Sequence, residues 1–442
     1  MQVPLQLREL IIHAPLSKFP KSIGHLNHIE KIVVDYYRDS IHLQTLPEEF
    51  GRLRSLKYLQ LRCLVLESLP DSFGYLTNLQ HLDLSDCEKL TMSEETFGKI
   101  STLEYLSLSS CFSVKVLPAQ VAHQPSLKLL NLTFTGLKEL PEDIGNLSGL
   151  EILILGGRLL EMLPRSLGQL SSLEYLRFCS CDNLKSLPDS LGLLTQLIFL
   201  IIDDSGIESI PPEIVKLKNL VFLCVTGCPL REMPLTGRMY RLEHLHLRNA
   251  EISQISFGEG VCPNLTHLFI CECDNLMDVG ALPPTLITLT LYGCHQLRKL
   301  ERLCNLTKLR ELDIRQCRKL EELPSLEGLV TLEELWGDNC CKLKRVEGLG
   351  QLAELRILSM PSCDALEEVA CVENLRLLEE INVVDCPHLQ WGEGVVEQLG
   401  SRFNSLPRHW RSFYAKRREN YWRLLRRELP LLADIIDAID AI

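Results

Sequence analysis

One pattern recurs along almost the whole chain: an apolar residue, any two residues, an apolar residue, any one residue, and a third apolar residue. It occurs 17 times, and successive occurrences start 21 to 27 residues apart, most often 23. A fixed period of this length is typical of repeat proteins, in which each repeat contacts only its neighbours. We therefore expect one elongated array. Counting the first apolar residue as place 0, the units begin at Leu7, Ile29, Leu56, Leu79, Leu103, Leu127, Leu150, Leu173, Leu197, Leu220, Leu242, Leu265, Leu286, Leu309, Leu332, Leu355 and Leu378.

Each unit has two halves. In the first half, apolar residues alternate with polar ones, as in LDL (82–84), which predicts a short half-buried strand. The second half often reads LPxxΦGxL, where Φ is apolar, as in LPEDIGNL (140–147) and LPRSLGQL (163–170). Its proline favours a short helical or extended segment that leads the chain back to the next strand, which we call the return. Its glycine is expected to close the turn. One unit cannot bury its own leucines, so stacked units should share one continuous core.

The repeat matches the consensus of leucine-rich repeats. With strand ends such as LSLSSC (106–111) and LDIRQC (312–317), it resembles the repeat region of plant intracellular nucleotide-binding disease-resistance receptors. In that family the repeats follow an ATPase module, and the module's GxxxxGK[ST] loop is absent from this sequence. The expected fold is an α/β leucine-rich repeat solenoid, or horseshoe, over residues 1–395, with a parallel concave sheet of about 17 strands.

Charge and hydropathy argue against several classes of protein. The chain of 442 residues has 46 basic and 58 acidic residues, a formal net charge of −12, whereas nucleic-acid binding needs a basic face. No apolar run is long enough for a transmembrane helix, which needs about 18 residues. The N-terminus lacks the basic start and apolar stretch of a signal peptide. A cytoplasmic protein without a nucleic-acid partner is therefore expected.

The 18 cysteines are unusually many for a chain that is too long to need disulfide staples. Ten of them occupy place +8, just after the strand, where a small buried thiol can sit against loop backbone. A zinc site is the alternative, but no C-x2-C pair occurs, so we expect neither a metal nor another cofactor. The ten are Cys87, Cys111, Cys181, Cys228, Cys273, Cys294, Cys317, Cys340, Cys363 and Cys386.

Places +2, +4 and +6 should point away from the leucine core, onto the concave face, with equal places of adjacent units about 4.8 Å apart. Aromatic and arginine residues are dense there, and such residues dominate binding energies at interfaces. We predict an exposed partner-binding face that favours acidic and apolar groups; alternatively, some of the aromatics pack on their row neighbours. The candidate partner-binding residues are Tyr175, Arg177, Phe199, Phe222, His246, Arg248, Phe269, Tyr292, Arg315 and Trp336.

Equal places of adjacent units form rows across the sheet. The row at place +4 puts Cys224 beside His246, with His244 and His267 nearby at place +2. A thiol and an imidazole could act as nucleophile and base, or bind a metal. The sequence offers no third orienting group and no oxyanion hole. We therefore predict no catalytic residue and no enzyme activity.

The last part of the chain, 396–442, differs from the repeats. Residues 401–429 contain nine basic and two acidic residues, and aromatic residues share one face of a predicted helix. We interpret this part as a helical tail that caps or packs on the acidic solenoid. Contact with an anionic membrane or with a partner is one alternative, and disorder is the other.

These features together favour protein–protein recognition by the concave face. The resemblance implies ligand sensing in plant innate immunity, with a pathogen effector or a host signalling protein as the ligand. The alternative is a free-standing leucine-rich repeat scaffold of intracellular signalling that binds a small GTPase or a kinase. The chain is expected to be monomeric on its own.

Overall fold

The computed structural model describes residues 6–14, 16–34 and 43–392, together with Val395 and Leu399. Almost all of them belong to stacked coils, each made of a strand, a turn and a return segment. The leucine-rich repeat solenoid predicted from the repeat is confirmed. Apart from Leu399, the tail predicted for 396–442 lies outside the described residues.

The strands are short and recur once per coil. In chain order they are β1 (Glu9–Ile12), β2 (Lys31–Val34), β3 (Tyr58–Leu61), β4 (His81–Asp83), β5 (Tyr105–Ser107), β6 (Leu129–Leu132), β7 (Ile152–Gly156), β8 (Tyr175–Cys179), β9 (Phe199–Asp203), β10 (Phe222–Thr226), β11 (His244–Arg248), β12 (Gln254–Ile255), β13 (His267–Cys271), β14 (Asp278–Val279), β15 (Thr288–Thr290), β16 (Glu311–Asp313), β17 (Glu334–Trp336), β18 (Arg345–Val346), β19 (Ile357–Ser359), β20 (Glu368–Val369) and β21 (Glu380–Asn382).

Seventeen of these strands form one sheet, in which each strand pairs in parallel with the strand of the next coil. Each of the seventeen begins at place +2 of a predicted unit, so the expected number of strands and their register are both confirmed. The other four form two small parallel pairs in the return segments, β12 with β14 and β18 with β20.

The returns contain short 3-10 helices. They are η1 (Lys21–His25), η2 (Glu48–Arg52), η3 (Asp71–Tyr75), η4 (Glu94–Phe97), η5 (Ala119–His123), η6 (Glu142–Asn146), η7 (Arg165–Gln169), η8 (Asp189–Leu193), η9 (Pro212–Lys216), η10 (Leu303–Asn305), η11 (Leu349–Gln351) and η12 (Val372–Asn374). Eight of them directly follow a proline, whose ring fixes φ near the helical value.

The glycine of the LPxxΦGxL motif permits close stacking of the returns. A Cβ atom on Gly51 would lie 2.2 Å from the backbone oxygen of Ser72, and one on Gly168 would lie 2.3 Å from that of Ser190. Both glycines lie inside a 3-10 helix and neither has a positive φ, so the expectation that they close a turn is wrong. Their function is to let the next coil approach.

One apolar core runs through all the coils, from Phe19 to Leu399. It is filled mainly by the leucines of places 0, +3 and +5, most of which are fully buried. The weakest repeat has Gly337 at place +5. A Cβ atom there would lie 2.7 Å from Cε of Met360, so the Met360 side chain of the next coil fills the space.

The turn after each strand has the same backbone shape in 14 consecutive coils. The residue at place +7 has a positive φ in every coil from Leu79 to Leu378, although only three of these residues are glycine. A left-handed conformation costs a residue with a side chain about 1–2 kcal/mol. Because the turn is kept whichever residue stands there, the stacking of the coils imposes it. The eleven residues are Asp86, Ser110, Phe134, Ser180, Asp204, Asn249, Glu272, Gln316, Asn339, Ser362 and Asp385.

We expect Leu200→Ala to lower the free energy of unfolding by about 2–5 kcal/mol, because Leu200 on β9 is fully buried and the change leaves a cavity. Leu193→Ala is the matched control, since the Leu193 side chain is 60% exposed. Urea denaturation followed by circular dichroism measures both variants. Equal stability of the two would show that the strand register is wrong.

Candidate functional site

The parallel register makes the concave face a set of three straight rows. At place +2, for example, Tyr175, Phe199, Phe222, His244 and His267 are direct partners on five successive strands. At place +4 the row includes Ile201, Cys224, His246 and Phe269. Every candidate binding residue predicted from the sequence therefore lies on this face, and neighbours along the rows are in contact.

The centre of the face is a second apolar cluster that is separate from the leucine core. It consists of Ile154, Tyr175, Phe199, Ile201, Phe222 and Cys224, with Ile152, Ile198 and Val221 packed against it. The rings of Tyr175 and Phe199, and those of Phe199 and Phe222, are 6.3 Å apart. These side chains pack against one another on the inner side of the curved sheet. The alternative drawn from the sequence, that some of the aromatics pack on their row neighbours, therefore holds here.

The expected exposure of the aromatics is therefore wrong at several positions. Tyr175 and Phe199 are 1% exposed, Phe222 is fully buried, His246 is 5% exposed and Trp336 is 3% exposed. The physical reason is curvature: on a concave sheet, large side chains in adjacent rows converge and cover one another. Burial of this kind also raises the pKa of the Tyr175 hydroxyl to about 12.

Histidines continue the cluster toward the C-terminal half. The rings of His244 and His267 stack at 4.4 Å, and His246 lies 4.5 Å from the ring of Phe269. Burial lowers the pKa of His244 to about 3 and that of His267 to about 4, and the pKa of His246 lies well below its usual range. At neutral pH these rings are therefore uncharged, as their packing within the concave face requires.

The remaining candidates are accessible. Phe269, Tyr292, Arg177 and Arg315 are half-buried, and Arg248 is exposed. The Arg315 guanidinium lies 5.5 Å from the ring centre of Tyr292 and 5.7 Å from that of Trp336, as the expected interleaving of cations and rings requires.

Each of these arginines already has a carboxylate partner on the same face or the next turn. Arg177 donates to Asp203 at 3.1 Å, Arg248 donates to both oxygens of Glu272 at 3.0 and 3.1 Å, and Arg315 donates from Nε to Asp313 at 2.8 Å. The arginines therefore add little net positive charge, and the argument for an acidic partner loses its basis.

Two groups on the face were missed among the candidate residues. His81 is stacked between Tyr58 and Tyr105, with ring centres 4.0 Å apart on each side. Glu311, Glu334 and Glu380 lie in the same row near the C-terminal end of the sheet. Both groups stand at place +2, so a complete reading of that row in the sequence would have found them.

The predicted cysteine positions are borne out. All of the place +8 cysteines except half-buried Cys386 are buried. All except Cys181 donate from Sγ to a backbone oxygen of the preceding coil, as Cys317 does to Leu291 at 2.9 Å. Burial raises the pKa of the Cys317 thiol to about 12. All 18 cysteines are free thiols.

Cys224 and His246 are direct row neighbours, as the sequence predicted. Burial raises the pKa of Cys224 to about 12 and lowers that of His246, so both groups are neutral. A nucleophilic dyad needs the opposite shifts, which favour thiolate and imidazolium. Among the described residues no cluster of three or more His, Cys, Asp or Glu side chains has a geometry that could hold a metal ion.

This geometry defines a leucine-rich repeat protein. No protein-family model matches the chain, but individual proteins do. Over 111 residues, 24% of the chain, it is 30% identical to the disease resistance protein RPP4 of Arabidopsis thaliana. The chain matches about a tenth of that relative's length, since the shared part is 10% of it.

Solved structures match over more of the chain. The functional domain of InlJ from Listeria monocytogenes, which includes a cysteine ladder, has a TM-score of 0.56 at 18% identity, covering 84% of this chain and 71% of that one. The leucine-rich repeat protein LIC12759 of Leptospira interrogans has a TM-score of 0.48 at 21% identity, covering 78% and 93%. The likeness to InlJ shows the fold. No helix within the described ranges is long and apolar enough to cross a membrane.

We expect Phe222→Ala to destabilise the fold, by about 3 kcal/mol, because it empties the centre of the concave cluster. Tyr292→Ala, at a half-buried position on the same face, should cost less than about 1 kcal/mol. Thermal and urea unfolding of both variants checks this. If Phe222→Ala has wild-type stability, the concave cluster does not contribute to the fold.

We expect native protein to react quickly with a thiol reagent only at exposed Cys304 and Cys371, because the other thiols are buried or half-buried. The cysteines of place +8 should react after unfolding. Mass spectrometry of the labelled peptides identifies the sites. Native disulfides among the place +8 cysteines would contradict this expectation.

Proposed function

We propose that the chain recognises a protein ligand through its concave face, as the ligand-sensing repeat region of a receptor in plant innate immunity. The observation that carries the proposal is the accessible strip of Phe269, Tyr292, Arg248 and Arg315, held on a rigid parallel sheet by a packed apolar cluster. Rigid aromatic and arginine side chains bind proteins with little loss of conformational entropy.

The immune role is supported by the 30% identity to RPP4 and by the LPxxΦGxL returns. A pathogen effector or a host signalling protein is the proposed ligand. Of the ten candidate residues, the accessible ones are proposed to contact the ligand, and the buried ones to support them by packing within the face. No catalytic step is assigned to the chain.

A cytoplasmic location is also proposed. All 18 cysteines are free, and the thiols of nine coils act as hydrogen-bond donors to backbone oxygens. Free thiols support a reducing compartment, because disulfides form and persist in oxidising ones.

The proposal is tested by purifying the tagged chain from pathogen-challenged leaf tissue and quantifying the proteins that bind it. The double variant Tyr292→Ala, Arg248→Ala should bind its ligand more weakly by about 1–3 kcal/mol. The matched control is Tyr240→Ala, Arg231→Ala, whose side chains are exposed outside the concave rows. Equal binding by the concave variant and loss by the control would show that recognition uses another face.

A further inference from the structure

A group of exposed apolar side chains lies beside the carboxyl ends of three consecutive strands. Among the described residues fourteen large apolar side chains are exposed, and five of these belong to the coils that begin at Leu103, Leu127 and Leu150. Apolar residues exposed singly are ordinary, whereas a cluster of them marks an interaction surface. We call this cluster the edge patch; it consists of Phe112, Val116, Phe134, Leu159 and Met162.

The stacking of the coils brings these side chains together. Phe112 and Leu159 both stand at place +9, and Gly136 occupies that place in the coil between them. A Cβ atom on Gly136 would lie 2.4 Å from the backbone oxygen of Phe112. Val116 and Met162 each stand two residues before the proline of their return, and backbone pairing joins Met162 to the coil before it. The patch therefore spans three coils, about 10 Å at the usual strand spacing.

Phe134, on the middle coil of the patch, combines an exposed ring with an unfavourable backbone conformation. It stands at place +7 with a φ of 54° and is 39% exposed. The ten other residues with a side chain that have this conformation at place +7 are all polar. A bulky residue adopts the left-handed conformation less readily than small polar ones do. Because strain of this kind is concentrated at functional positions, it points to a contact made by the Phe134 ring.

The edge patch is large enough to be the apolar centre of a stable interface. Its side chains are 39–68% exposed. Together they expose roughly 450 Å², at about 170 Å² for one fully exposed side chain. A specific interface buries about 800 Å² on each partner, of which somewhat more than half is apolar. The patch therefore supplies most of the apolar area that one side of such an interface needs.

The patch also has an approximate two-fold symmetry. On one flanking coil Phe112 stands at place +9 and Val116 stands before the proline; on the other, Leu159 and Met162 stand at the equivalent places. A second copy, turned by 180° about an axis through the middle coil, would set each flanking coil against the opposite one of its partner. The two Phe134 rings would then meet at the axis. Two-fold interfaces are self-complementary in this way.

The charges beside the patch fit the same arrangement. Lys115 and Glu161 stand three residues before the prolines of the two flanking coils, and both are exposed. The two-fold rotation puts Lys115 of each copy opposite Glu161 of the other. Within the chain Glu161 pairs with Lys138 at 3.9 Å, with both side chains more than half exposed, and such a long surface pair leaves Glu161 accessible. Lys138 and Glu139 are adjacent on the middle coil, so each has an opposite charge of the second copy within reach.

We propose that this chain forms a two-fold homodimer through the edge patch, with the two solenoids antiparallel. The area, the symmetry and the charges of the patch select a second copy as its partner. Because the patch lies outside the three concave rows, the dimer contact does not depend on the ligand contact proposed above. The proposal differs from the monomer expected from the sequence alone.

Sedimentation velocity of the full chain tests the dimer. Interfaces of standard size bind with micromolar or lower Kd, so at about 100 µM the chain should sediment with twice its monomer mass. A monomer at this concentration would mean that another protein or none covers the patch, and would overturn the proposal. Phe134→Ser should raise the Kd of the dimer at least about tenfold. Serine occupies the same place in three other coils, so the turn tolerates it.

Two methionines provide a matched control. Met162 and Met277 both stand at place +12 and are 61% and 59% exposed, but Met277 lies outside the edge patch. Met162→Ser should raise the Kd of the dimer about fivefold or more, and Met277→Ser should leave it unchanged. If the two variants, or Phe134→Ser and the wild type, dimerise equally well, the copies meet elsewhere and the proposal is overturned.

A charge exchange tests the two-fold arrangement itself. Lys115→Glu and Glu161→Lys should each raise the Kd at least about tenfold, because each variant sets like charges face to face twice. Mixed in equal amounts, the two variants should form a heterodimer, since every lysine at these two positions then meets a glutamate. Native mass spectrometry with one variant isotopically heavy identifies the heterodimer. A mixture that stays monomeric, or homodimers of wild-type strength, would overturn the proposal.

Discussion

The structure depends on the burial of each coil's leucine face by the neighbouring coil. A single coil presents leucines at places 0, +3 and +5 and has nothing of its own to cover them. The strand ladder fixes neighbouring coils at the spacing of a parallel sheet, and the return segments must match that spacing. Glycines such as Gly51 and Gly168 exist for this reason, since a side chain there would meet the backbone of the next coil. Stability is therefore shared along the array between neighbouring coils.

The same spacing organises the turn that follows each strand. The chain must bend sharply from the strand into the core, and it does so through a left-handed residue at place +7. Eleven coils adopt this shape with a side chain present, at an energetic cost that the stacking offsets. The thiol at place +8 then donates to the preceding coil, as Cys363 does to Gly337 at 3.1 Å. The thiol is small enough to be buried at this place while it makes this hydrogen bond.

Stacking also determines what the concave face can do. Because equal places are direct neighbours, side chains of one kind accumulate in rows, and the face divides into regions of different chemistry. The centre becomes apolar and self-covered around Phe199 and Phe222. The last coils become negative around Glu334 and Glu380. The chemistry of the surface therefore changes from one group of coils to the next.

The sequence by itself determined the period, the number and parallel register of the strands in the main sheet, and the inward place of cysteines such as Cys317, because these follow from local alternation and a constant repeat length. It also placed all ten candidate residues on the concave face. Only the tertiary structure decided which of them a partner could touch. Tyr175, Phe222 and Trp336 are covered by their neighbours, whereas Tyr292 and Arg248 are accessible. The physical reason is that exposure on a concave face depends on sheet curvature and on the sizes of side chains in adjacent coils, about 23 residues away in the sequence.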